Sequence, residues 1–246
     1  MTTLQDTIRP KARSREWKAI VILILLVPAL WSPLILFRVF LFQPFNIPSG
    51  SMVPTLVVGD YVLAAKYAYG YGRYSFPYSP ISGRVLASTP ERGDVAVFRN
   101  PKDTSVDYVK RIVGLPGDRI QMRQGQLMLN DKPVTRVALA SGFGGASCGL
   151  DPGTKNGRWR ETLPNGASYQ TYDCFDNGFY DNTPVYTVPP GHLFVLGDNR
   201  DNSTDSRAMS AMGFVPMDNL VGRAVWIFWS IAPNGEPRGG RIGKVR

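Results

Sequence analysis

The chain has 246 residues, of which 43% are hydrophobic and 19% charged, and its 28 basic and 19 acidic side chains leave a formal charge of +9. That composition argues against a disordered chain and allows one sizeable folded domain with an anchor, or two small domains. A single histidine, His192, and two cysteines, Cys148 and Cys174, exclude a multi-histidine or cysteine-rich metal centre.

Arg9, Lys11, Arg13, Arg15 and Lys18 crowd the front of an uncharged apolar run, residues 19–37, and apolar character resumes after Arg38 as far as Phe42. A bilayer core needs about 20 such residues. The expected organisation is a basic tail over 1–18, a single transmembrane anchor over 19–42, and a catalytic-sized domain over 43–246. A cleaved signal peptide has the same basic front, but the bulky or polar stretch 37–45 offers no small-x-small cleavage site. A buried core helix would show a polar face, which this run lacks. The positive-inside rule puts the N-terminus in the cytoplasm and the domain outside an inner, plasma membrane, in a periplasm or its equivalent. A disulfide between Cys148 and Cys174 would persist there, although spacing alone does not decide whether they pair. The net positive charge suits anionic membrane lipid; no zinc-finger spacing, RNP-like motif or basic recognition helix points to nucleic acid.

Beyond the anchor, 20 Pro and 25 Gly separate short β-branched and aromatic runs, the texture of strands and turns. Residues 57–67 read as a turn and strand, and 68–90 as a loop. Residues 94–99 and 106–113 read as strands, and 119–130 as a hairpin around Gly125. Residues 140–183, rich in Gly, Asn, Asp and Ser, read as a long insertion without periodicity, within a variable region spanning about 120–188. Residues 185–188 and 193–197 read as short strands, and 222–231 as a final one. The expected fold is mainly β, a coiled antiparallel sheet or barrel-like domain behind one N-terminal transmembrane helix.

Three segments carry residues suited to chemistry. In Pro48-Ser49-Gly50-Ser51-Met52-Val53-Pro54-Thr55-Leu56, proline and glycine impose an unusual backbone path on which a serine hydroxyl and backbone N–H groups can converge; an ordinary polar turn reads the same way. A serine nucleophile needs a base. His192 lies in a Pro-Pro-Gly turn and reads as a surface residue. Lys110, among Val109, Ile112, Val113 and Leu115, can serve if desolvation keeps its amine neutral; a solvated strand lysine is the plainer reading. The third segment, Gly197 to Arg207, packs charged and amide side chains into one loop after an apolar strand. It suits a hydrogen-bonded substructure or a solvated polar loop, and lacks the spacing of an EF-hand calcium loop.

Taken in order, these segments resemble the bacterial type I signal peptidases. The stretch Pro48 to Leu56 looks like that family's nucleophile box, and Gly59-Asp60-Tyr61-Val62-Leu63 looks like the next. Arg92-Gly93-Asp94-Val95 with Tyr108 to Asp118 resembles the lysine box, and Gly197 to Arg207 is similar to the last. The resemblance implies a membrane-bound serine endopeptidase that removes N-terminal signal peptides from exported preproteins after a small-x-small motif. Ser51 would be the nucleophile and Lys110 the general base. The Ser51 N–H and the Ser49 hydroxyl would form the oxyanion hole, and Ser203 would orient the Lys110 amine. Asp198 with Arg111, and Asp205 with Arg207, would be structural ion pairs. Phe45, Ile47, Pro48, Met52, Leu56, Val62, Tyr108 and Val109 match positions that line the substrate pockets. The resemblance also implies no metal, no cofactor and a functional monomer. The alternatives it leaves are a specialised peptidase of the same clan and an inactive tethered module that binds preproteins without cutting them.

Overall fold

A computed structural model describes residues 12–76, 81–139, 142–143 and 155–245. Residues 1–11 of the basic tail, Cys148 and Arg246 therefore lie outside the described residues. One long helix, Ala12–Leu36, opens the structure, with Pro28 and Pro33 inside it. Its start takes in part of the stretch read as a tail. The stretch Ile20–Leu41 is 22 residues, long and apolar enough to cross a membrane, and its apolar body is not buried in the domain. A wider helical turn, Phe37–Leu41, leads without a linker into the strand Phe42–Asn46. Residues read as the end of an anchor are thus continuous with the sheet.

The domain is built on an eight-stranded antiparallel sheet. Its path runs Phe42–Asn46, Asp60–Ala65, Leu220–Ser230, Val95–Arg99, Asp107–Gly114, His192–Leu196 and Val215–Pro216, with Gly243–Lys244 added beside Leu220–Ser230. The sequence runs read as strands at 57–67, 94–99, 106–113, 193–197 and 222–231 all lie in this sheet. Register breaks in the Leu220–Ser230 strand, between Ala224 and Trp226 and between Ile227 and Trp229, add local twist and curl the sheet. A second, smaller sheet pairs Tyr186–Thr187, Arg119–Arg123, Gln126–Leu129 and Lys132–Pro133, so the hairpin expected around Gly125 forms.

The stretch read as an aperiodic insertion contains a hairpin, Lys155–Thr162 with Ser168–Asp173, that also pairs with Thr135–Ala138. Of the residues that obscured it, Asn165 and Gly166 form its turn, whereas Asn156 and Gly157 lie within its first strand. Its alternation was masked because its inward face is polar as well as apolar: Glu161, Tyr169 and Thr171 are all buried.

Three apolar clusters form the core. One gathers Ile47, Met52, Leu56, Val62 and Val97 with the half-buried Val109. A second gathers Phe98, Ile112, Leu193 and Val195, and a third Val113, Ile120, Leu163 and Phe194. The strand Asp107–Gly114 contributes to all three, which is why its later residues are buried on both faces.

Candidate active site

The ladder between Phe42–Asn46 and Asp60–Ala65 continues beyond the strands. The Ile47 N–H donates to the Asp60 carbonyl at 2.8 Å, and the Gly59 N–H to the Ile47 carbonyl at 3.0 Å. Gly59 sits at φ +88°, and a Cβ there would lie 2.0 Å from the Ile231 carbonyl, so only glycine closes this loop. Within it the Val53 N–H bonds the Gly50 carbonyl and the Leu56 N–H bonds the Met52 carbonyl. Buried Ile47, Met52 and Leu56 root the loop in the core while Ser49 stays exposed and Ser51 half-buried. Asp60, fully buried, ties the loop base to the C-terminal region. It accepts hydrogen bonds from the Val57 N–H, the Ser230 hydroxyl and the Arg241 guanidinium.

Lys110 lies 59 residues further along the chain, yet its Nζ is 2.6 Å from Ser51 Oγ. The amine also donates to the Val109 carbonyl at 3.1 Å. Lys110 is 3% exposed. Burial, partly opposed by the charges of Asp205 and Asp198, lowers its pKa from 10.5 to about 8. Desolvation is the cause that matters, because removing water disfavours the ammonium. Ser49 Oγ is 3.3 Å from Ser51 Oγ, so the two hydroxyls and the amine form one group. His192 is elsewhere: its ring nitrogen is 2.9 Å from the Pro190 carbonyl oxygen, at the start of its strand.

The Gly197–Arg207 loop leaves the strand that pairs with the lysine strand, with Leu196 opposite Arg111. Asp198 accepts a bidentate pair from Arg111, at 2.8 and 2.7 Å, and a hydrogen bond from the Thr55 hydroxyl. Arg111 also donates to the Gly93 carbonyl at 2.7 Å and stacks over the Tyr169 ring. Asp205 accepts from both Arg207 Nε and Nη2 at 2.8 Å and from the Gly197 N–H at 3.0 Å. Burial pushes the Asp205 carboxyl up, but the adjacent Arg207 outweighs this and holds it below the ordinary value. Asn199 reaches back to the serine turn. Its side-chain amide donates to the Gly50 carbonyl and its N–H to the Ser51 carbonyl, each at 3.0 Å.

Ser203 is buried against Gly197, where a Cβ on the glycine would meet Ser203 Oγ at 2.1 Å and the Ser51 carbonyl at 2.6 Å. Its hydroxyl faces the Asp205 carboxyl, which it helps hold below the ordinary value, and makes no hydrogen bond to the Lys110 amine.

Residues expected at the substrate pockets divide. Ile47, Met52, Leu56 and Val62 share one cluster, with Phe45 and Val109 packed on it. Tyr108 packs on the second cluster, its ring centroid 5.4 Å from Lys110 Nζ. Pro48 is exposed at the mouth of the serine turn.

The sequence reading missed Glu161, Tyr169, Asn199 and Arg200. Arg200 and Glu161 form a bidentate ion pair, with side chains 2% and 1% exposed and a shortest contact of 2.5 Å. Tyr169 donates to Glu161 at 3.1 Å. The Tyr172 N–H donates to the Asp198 carbonyl and the Arg200 N–H to the Tyr172 carbonyl, each at 2.8 Å. The insertion hairpin thus forms the floor of the polar loop. The one signal for it was the charge of Arg200, which a buried loop must neutralise. Cys174, at the end of this hairpin, is disulfide-bonded, and its N–H donates to Asp201 at 2.7 Å.

The model of the signal peptidase, peptidase S26, family matches residues 14–229. The chain is 43% identical over 203 residues to the signal peptidase I of Rickettsia typhi, covering 78% of this chain and 74% of that one. It is 39% identical over 230 residues to that of Rickettsia conorii, covering 89% and 81%. A solved signal peptidase I from Enterococcus faecalis V583 is 26% identical and aligns over 55% of this chain and 97% of its own, with a TM-score of 0.32. The chain belongs to the peptidase S26 family of signal peptidases, serine peptidases that act on the signal peptides of exported preproteins.

Proposed function

We propose that this peptidase works through a serine–lysine dyad, Ser51 and Lys110, at a site held against a membrane surface. The observation that carries the reading is the 2.6 Å approach of Lys110 Nζ to Ser51 Oγ, with the amine buried. A buried amine with a lowered pKa is a base near neutral pH. As Ser51 Oγ attacks the scissile carbonyl, its proton passes to Lys110. The tetrahedral oxyanion is met by the Ser51 N–H and the Ser49 hydroxyl, and Lys110 then gives the proton to the departing amine. The ester left on Ser51 is hydrolysed by a water that the neutral lysine deprotonates.

Ser203, packed against Gly197 beside the serine turn, is the hydroxyl that would orient the amine. Asp198–Arg111 and Asp205–Arg207 hold the loop that clamps the serine turn and touch no reacting atom. The cluster around Ile47, Met52, Leu56, Val62, Phe45 and Val109 supports shallow apolar pockets, with Pro48 and Tyr108 at their rim. Such pockets suit small side chains at the first and third positions before the cut. The helix Ala12–Leu36 and the turn after it anchor one chain, acting alone, in the inner membrane. The basic front lies in the cytoplasm and the domain outside. Membrane lipid is then the second partner beside the preprotein.

The test is cleavage of an exported preprotein by the full chain in liposomes, beside Ser51→Ala and Lys110→Ala. Loss of cutting in both, with the fold intact, supports the dyad. A variant that still cuts removes that residue from it, and binding without cutting by the unaltered chain overturns the reading.

A further inference from the structure

The strand Asp60–Ala65 is followed by Lys66, a buried lysine that is no part of the dyad. Its ammonium donates to the Val39 carbonyl at 3.1 Å and the Ser75 carbonyl at 2.5 Å. Tyr71 donates to the Phe40 carbonyl at 2.9 Å. Phe40 meets Phe76 edge-on at 5.6 Å, and Phe42 meets Tyr67 at 5.7 Å. The last turn of the anchor is thus docked on the segment 66–76.

Beside this contact lies a cavity of about 610 Å³ whose wall includes Arg38, Lys66, Arg73, Arg99, Tyr74 and Phe76, and no carboxylate among the described residues. Arg99 is paired outside it with Asp107, at 3.2 Å. Arg38, Lys66 and Arg73 have no carboxylate partner among the described residues. Burial, and then the charge of Arg38, hold the Lys66 amine below its ordinary value. Cations gathered at one cavity without counter-charge repel one another, and an anion placed among them relieves that repulsion.

We propose that this cavity binds the phosphate head group of an anionic glycerophospholipid. Position selects lipid over a soluble anion: the apolar stretch Ile20–Leu41 includes two wall residues, Arg38 and Val39, so the cavity opens where the bilayer core ends. Arginine forks match phosphate oxygens, and aromatic rings suit the interface beside them. A lipid held here bridges Arg38 of the anchor and Arg73 of the domain, and so sets the tilt of the catalytic site over the bilayer. The proposal rests on the membrane-anchored reading.

The experiment is native mass spectrometry of the full chain in detergent, titrated with phosphatidylglycerol, phosphatidylcholine or inorganic phosphate. Arg38→Gln, Arg73→Gln and the double variant are compared. Both side chains are exposed, so the fold is kept, and cleavage of a short soluble peptide checks it. Expected is one retained phosphatidylglycerol, bound about tenfold or more tightly than phosphatidylcholine, with that preference lost in the double variant. Equal retention of the two lipids overturns the proposal, as does undiminished retention by the double variant. Displacement by equimolar inorganic phosphate overturns the lipid assignment. Alkaline extraction of the chain from liposomes scores the anchoring reading separately: a chain released by alkali refutes anchoring, whereas a chain that stays embedded without retaining lipid refutes only the site.

Discussion

The Lys110 amine offers a quantitative test. With a pKa of about 8, about one-tenth of the folded chains carry a neutral amine at pH 7 and about nine-tenths at pH 9. Values of kcat/KM on a soluble peptide should therefore rise about tenfold over that interval and then level. An ordinary lysine near 10.4 would give about a hundredfold rise with no levelling. Stability carries the same information. The fall from 10.5 to about 8 corresponds to about 3 kcal/mol of preference for the neutral form. Below pH 8 both folded and unfolded chains are protonated, and the folded chain bears the full cost. Between about 8 and 10.4 the unfolded chain binds the proton and the folded one does not, so stability rises with pH. Lys110→Met should accordingly stabilise the chain at pH 7 by up to about 3 kcal/mol, less what its hydrogen bonds contributed, and that gain should vanish above pH 10.5. Thermal melts of the full chain in detergent, alongside the pH–rate profile, measure both. A rate still climbing with unit slope at pH 9.5, or a Lys110→Met gain independent of pH, would refute the desolvation argument.

Ser49→Ala removes a hydroxyl 3.3 Å from Ser51 Oγ; kcat should fall about 100-fold with KM and melting temperature little changed. Gly197→Ala drives a Cβ to 2.1 Å from Ser203 Oγ and 2.6 Å from the Ser51 carbonyl. Displacing the serine turn should lower kcat about 100-fold or more, and a fully active variant would mean the loop does not position Ser51. Glu161→Gln leaves the Arg200 guanidinium buried without its counter-charge. Urea titration should show a loss of about 3–5 kcal/mol, largely recovered when Arg200→Met is added; a loss that the second change does not recover would point to packing instead of charge.

Much of this protein was legible along the chain because its signals are local. Hydropathy and flanking charge marked the span, alternation marked the strands of the large sheet, and the ordered motifs around Ser51, Asp60, Lys110 and Gly197 pointed to the family. Burial, by contrast, is a property of neighbours. Nothing near Lys110 in sequence states that its amine is buried, or that a serine 59 residues earlier meets it at 2.6 Å. The hairpin 155–173 looked aperiodic because half of its inward side chains are polar. Only the tertiary structure pairs Glu161 with Arg200 and sets Tyr169 beneath Arg111. The cavity at Lys66 was invisible for the same reason, since Arg38, Lys66 and Arg73 are ordinary surface cations until the docked anchor brings them together. The sequence by itself determined which groups are present and the elements that carry them. Tertiary packing decided which groups lose their water, and desolvation is what turns a lysine into a base and scattered cations into a site.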